Sequence, residues 1–261
     1  MTREDPTLSL ARGDRSLQEE LDWAMDRLDK AGFHVNSEVR LLVDPKLDIM
    51  GYANESEGVQ HIVIADWALQ SEMLGGLLFH ELAHIYHTER HSPSHKFKLT
   101  NSIISEFSQR EGLNERETGY LVEGFNHLQN IMVDDIVFSV MEESERRQAQ
   151  RFFSGWLTEA ASGYPLVDSA ALARNAFALA SLKRHKLLDE REPNAGEMAA
   201  RGRTLVSALG RDAKAKYDAI EEFLVKADVG WDEETFHNKL TLYLDMLVAL
   251  LREKDQMEDL R

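Results

Sequence analysis

The chain contains no cysteine in 261 residues. Disulfides, thiolate nucleophiles and cysteine-based zinc sites are therefore excluded, and any metal must be held by His, Asp or Glu. Basic residues are also scarce, 30 Lys and Arg against 46 Asp and Glu, for a formal charge of −16. A surface of that sign repels nucleic-acid phosphate and anionic membrane, so neither is an expected partner. Apolar runs are short, and none approaches the roughly 20 residues of a membrane span. The opening stretch "MTREDPTLSLARGDRS" lacks the apolar centre of a signal peptide, and the expected location is the cytoplasm. The remaining composition, 43% hydrophobic and 29% charged, is that of a soluble globular protein with enough chain for one large domain or two modest ones.

Residues 1–15 read as a flexible N-terminus. Ser16 and Glu19 then form a Ser-x-x-Glu capping box, with Leu17, Leu21, Met25 and Leu28 at helical spacing behind it and Gly32 as a stop. Short branched apolar stretches follow, "EVRLLVD" (38–44), "IMGYA" and "VQHIVIA" (59–65), which predict two or three strands. A long helix is expected from Ser71 or Glu72 to just before Pro93, followed by helices over about 98–110 and 115–141, the latter capped by Asn114 with Glu117. Beyond about 145 strand signals vanish. Helices are expected at about 168–188, 195–209, 212–227 and 233–253, separated by Pro193, Gly210 and Gly230. The expected class is α+β: a small sheet packed on a long helix in a unit of residues 16–145, then an all-helical region, 146–261.

The long helix carries "LLFHELAHIYHTERHSP". His80 and His84 are four residues apart, so their rings stack on one face of a helix and can reach one zinc ion at about 2.0–2.1 Å. Glu81, one residue round, is placed to act on a water beside that metal without being a ligand. The flanking Leu77, Leu78, Phe79, Ile85 and Tyr86 make this a buried helix, where unpaired polar groups cost several kcal/mol. His87, His91 and His95 read as ordinary surface or hydrogen-bonded histidines.

The stretch resembles the zincin metallopeptidases, built on H-E-x-x-H. The metzincin branch does not fit, because His87 stands where its glycine belongs and His91 falls one residue late. A gluzincin-like branch, with its third ligand on a later helix, fits better. On the helix over 114–140, Glu123, Asn126, His127, Asn130 and Asp134 fall in one narrow stripe on an otherwise apolar surface. Asp134 is the first choice of third ligand, with His127 and Asp135 as alternates and Asn130 as a hydrogen-bonding neighbour or weaker ligand. Asn130-x-x-x-Asp134 also resembles the second motif of some zincin-like families, with Asn130 where a ligand Glu would stand. The resemblance covers about residues 33–142.

The resemblance implies a Zn2+-dependent peptidase acting on a peptide or protein, with Glu81 as general base. Strand 59–65 occupies the place of the substrate-pairing edge strand, or is an ordinary sheet strand. Tyr86, His127, Tyr164 and His185 are the possible oxyanion donors, and Trp67, Trp156 and Trp231 read as packing residues. The C-terminal helices could cover the cleft or recruit a protein partner. A competing reading is a zincin-fold module that binds metal for regulation without useful turnover. A bundle di-metal site is disfavoured, because Glu81 and His84 form one Glu-x-x-His element and a second is missing.

Overall fold

The computed structural model describes residues 16–188, 195–209 and 211–258, with side chains as far as 252. The expected flexible N-terminus and the breaks at Pro193 and Gly210 lie outside the described residues. The chain forms two compact units: residues up to His91 with Val133–Ala149, and Ser92–Met132 with the residues from Gln150 onward. The boundary expected near 145 lies close to one of these crossings. Residues 92–132, however, group with the C-terminal helices, because α3 (Phe97–Glu111) packs on α9 (Glu233–Glu258). Among the described residues no helix is long and apolar enough to cross a membrane.

The first unit opens with α1 (Leu17–Lys30). The Ser16 and Glu19 capping box is present, each side chain bonded to the other's backbone, which satisfies amides that the first helical turn leaves open. Leu17, Leu21 and Leu28 of the expected stripe are buried, whereas Met25 is half-buried and Ala24 takes the buried place beside it. Three strands follow, β1 (Val39–Asp44), β2 (Gly51–Ser56) and β3 (Val59–Ala65), in the order β1-β3-β2, with β1 parallel and β2 antiparallel to β3. β2 and β3 join through Glu57 and Gly58, both at positive φ, the geometry of a two-residue hairpin turn. The order corrects one expectation. β3 is the central strand, paired on both sides, and so cannot be the free edge that binds an extended peptide; β1 and β2 are the edges.

The long helix is α2 (Leu74–Glu89). It starts slightly later than expected, after a short 3-10 turn at Asp66–Gln70. Leu74, Leu78, Phe79, Leu82 and Ile85 are buried, as are Ile62 and Ile64 of β3. The Phe79 ring meets Trp23 of α1 at 5.1 Å, and the Arg27 guanidinium lies over both rings while bonding Glu145 at 2.9 and 3.1 Å. β2 runs close to α2: a Cβ on Gly51 would meet the Val63 carbonyl at 2.8 Å and Leu77 at 3.3 Å. At the far end of α2 the Glu89 carboxylate accepts from the Asn36 and Ser37 amides at 2.9 and 2.8 Å, fixing the approach to β1. Trp67 departs from the expected packing role, being 52% exposed with its indole N–H donating to the Leu47 carbonyl at 3.2 Å.

The second unit is helical. It contains α3, the first part of α4 (Glu115–Val140), the end of α5 (Glu143–Trp156), and α6 (Pro165–Arg184), α7 (Ala195–Ser207), α8 (Arg211–Val225) and α9. The Asn114 cap is present, its Oδ1 accepting from the Arg116 and Glu117 amides. α6 is buried along most of its length and packs on α7, α8 and α9. Both carboxylate oxygens of buried Glu221 of α8 accept from one amino group of Arg203 at 3.1 Å.

Candidate metal site on the HExxH helix

His80, Glu81 and His84 lie in the middle of α2, Glu81 buried and the two histidines half-buried. The two imidazoles turn their Nε2 atoms towards one another, 3.1 Å apart, with ring centroids at 4.7 Å and planes at 75°. Two nitrogens at about 2.0–2.1 Å from a tetrahedral zinc ion sit about 3.3–3.4 Å from one another, so this pair already has nearly the spacing of a two-point metal ligand. Burial pulls the His80 imidazole down to about 4, and a neutral imidazole is the form that binds metal.

Asp134, on the last turns of α4, is 4% exposed. Its Oδ1 lies 3.8 Å from His80 Nδ1, on the opposite side of that ring from the paired Nε2 atoms. The structure therefore brings Asp134 to the histidines, but behind His80. Among the described residues, no group of three or more His, Asp or Glu side chains is arranged to hold a metal ion. The residues fit two coordination positions through His80 and His84.

Glu81 is 5% exposed. Burial raises its carboxyl to about 7, partly offset by a hydrogen bond accepted from the Ala53 backbone N–H. That donor comes from edge strand β2, which the close passage at Gly51 holds against α2. Sequence reading could not find Ala53, since its contribution is a backbone amide without a side-chain signature.

The other candidates lie elsewhere. Asp135 is half-buried, about 100° round α4 from Asp134. His127 belongs to the helical unit, where its ring stacks flat on Phe177 at 5.0 Å. Asn130, one helical turn before Asp134, is half-buried in that same unit. Tyr86 packs edge-on against Phe33 at 5.5 Å, Tyr164 is 71% exposed, and His185 Nδ1 is 2.7 Å from the Ser181 carbonyl. His87 is buried, whereas His91 is exposed at positive φ.

The sequence profile of a family of unknown function, DUF5781, matches residues 23–201. The chain belongs to the DUF5781 family. The match spans α1 to α7 and includes both the HExxH helix and α4. No curated protein and no solved structure matches this DUF5781 chain.

Proposed function

We propose that this DUF5781 chain is a zinc-dependent peptidase whose metal is held by His80 and His84 and whose general base is Glu81. The observation that carries the reading is the 3.1 Å separation of the two Nε2 atoms on the same buried turn as a carboxyl raised to about 7. Zinc bound there would supply a Lewis acid for a scissile carbonyl and acidify a water. Glu81 takes the proton of the attacking water at its carboxylate and passes it to the leaving amine. The Ala53 N–H keeps that carboxylate oriented.

Asp134 acts in this reading as a positioning residue. For Nε2 of His80 to bind a metal, the ring must carry its proton on Nδ1, and the Asp134 carboxylate on that side favours this tautomer and would tighten onto it. The remaining metal positions are then filled by solvent, substrate or a weaker donor.

One observation favours the second reading, a metal-binding module with little turnover: the described residues offer two metal donors in place of the usual three. Metal analysis of the purified chain and peptide-library cleavage by wild type and Glu81→Gln separate the two. A peptidase contains about one zinc per chain, cuts the library, and loses cleavage but keeps zinc in the variant. Bound zinc without cleavage by the wild type selects the regulatory module. Absence of zinc, with none taken up on addition, defeats both.

A further inference from the structure

The helical unit contains a cavity of about 570 Å³ that the metal chemistry does not use. One wall is α4, with Glu123, Asn126 and His127; the opposite wall is the end of α5 and Arg174 of α6. The cavity is preformed. Buried Asn175 clamps the segment after α5, accepting from the Thr158 amide at 2.9 Å and donating to its carbonyl at 2.7 Å. The Trp156 ring at its edge is fixed against Phe152 and Phe153 at 5.0 and 5.4 Å.

Two side chains in this wall, His127 and Arg174, have buried nitrogens that lack the partners such groups normally have. His127 is 7% exposed, yet its Nδ1 has no hydrogen bond. Arg174 is half-buried; its Nε is likewise buried and unbonded, and only one of its amino groups has a protein partner, Thr158 Oγ1 at 3.2 Å. A buried donor of this kind is normally satisfied by a partner. Among the described residues neither Arg174 nor Glu123 has an ion-pair partner, and they do not pair with each other. The cavity thus presents one unpaired cation, one unpaired anion, a neutral imidazole and an aromatic surface.

We infer that this cavity binds a free α-amino acid with a large apolar side chain, its carboxylate on Arg174 and His127, its ammonium on Glu123, and its side chain against Trp156. A guanidinium matches a carboxylate with paired N–H donors. A simple carboxylate would leave Glu123 facing a like charge. A phosphate dianion would do so more strongly. A zwitterion meets both charges, and the wall held by Asn175 and the Trp156 stack spares part of the ordering cost of closing a site around it.

The test is titration calorimetry on the full chain in chelator, so that no metal contributes, with L-phenylalanine and L-leucine as probes and 3-phenylpropanoate, 2-phenylethylamine and inorganic phosphate as controls. Phenylalanine or leucine is expected to bind in the millimolar range or tighter, and the three controls at least about ten-fold more weakly. Glu123→Gln, at an exposed position where folding is not at stake, should weaken amino-acid binding about ten-fold and, by removing the like charge, tighten 3-phenylpropanoate binding, so that the preference between them is lost. Arg174→Gln should abolish both. The inference is overturned if the folded wild type gives no binding heat with either amino acid, if 3-phenylpropanoate or phosphate binds as tightly as phenylalanine, or if Glu123→Gln leaves the affinity intact.

Discussion

Replacing Glu81 by Gln should make the metal-free chain more stable, by an amount that depends on pH. In the folded chain, burial lifts this carboxyl from its ordinary 4.5 to about 7. Between those values the folded state keeps a proton that the unfolded state releases, so the wild type loses stability as pH rises above about 4.5, and the loss is complete above about 7. At 1.36 kcal/mol per tenfold change in proton affinity, the full loss is about 3 kcal/mol. At pH 5.5 only about 1.4 kcal/mol has been lost. Glutamine has no proton to lose, and its Oε1 still accepts the Ala53 N–H. Packing differences between the two side chains are the same at both pH values and cancel. His80, pulled down to about 4, is neutral in the folded chain at both. Urea unfolding of wild type and variant in chelator should therefore show the variant's relative stability rising by about 2 kcal/mol between pH 5.5 and pH 8. Excess zinc should narrow that gap, since a nearby dication makes the ionised carboxylate less costly. A relative stability that does not change with pH, or that falls, would refute the claim that a desolvated carboxyl sits on this helix.

Other outcomes follow from the same geometry. Asp134→Asn should weaken zinc binding by about 10–100-fold in a chelator competition, while His80→Ala and His84→Ala should abolish it. Because burial holds His80 and His127 near 4, each contributes stability that is present above its unfolded value of 6.5 and lost as pH falls through about 4; thermal melts of the metal-free chain should show this decline, and His127→Gln should reduce it. Gly124→Ala drives a Cβ into the Leu247 side chain and should cost about 1–3 kcal/mol in urea unfolding. Glu221→Ala, which removes a 3% exposed carboxylate from the half-exposed Arg203, should cost about 1–3 kcal/mol by the same measurement.

Local rules carried much of the fold in the sequence. Ser16 with Glu19 and Asn114 with Glu117 marked the starts of α1 and α4, because a cap is written in adjacent residues. The branched stretches pointed to two or three strands, of which β1 and β3 lie as expected while β2 runs on to Ser56, past the end of "IMGYA", and the i, i+4 spacing of His80 and His84 gave a pair facing a common point. What was missed depended on pairing between distant segments. Strand order is set by which neighbours bury the Ile62 and Ile64 side, so the central place of β3 had no local signature. The helix Glu143–Trp156 was not foreseen, since its charged run "ESERRQ" hides the apolar Phe152, Phe153 and Trp156. Asp134 was picked out by its stripe on α4, but helical periodicity cannot tell which nitrogen of His80 a carboxylate will meet. Arg174 and Trp156 lie on separate helices and converge only after folding.

The distribution of the chain between its compact units limits how it can be dissected. It crosses from one unit to the other after His91, after Met132 and after Ala149, and the last two crossings fall inside α4 and α5. No single cut can release either unit whole. A fragment ending near residue 91 would keep both histidines and Glu81 but lack Asp134, so retaining the sequence motif would not retain its surroundings. The segment that returns with Asp134 is the end of a helix whose first turns belong to the other unit. Loosening of the helical unit, by heat, protease or a destabilising substitution such as Gly124→Ala, should therefore be felt at Asp134 through α4, and the affinity proposed for the histidine pair should serve as a reporter of events in a unit to which the proposal assigns no ligand.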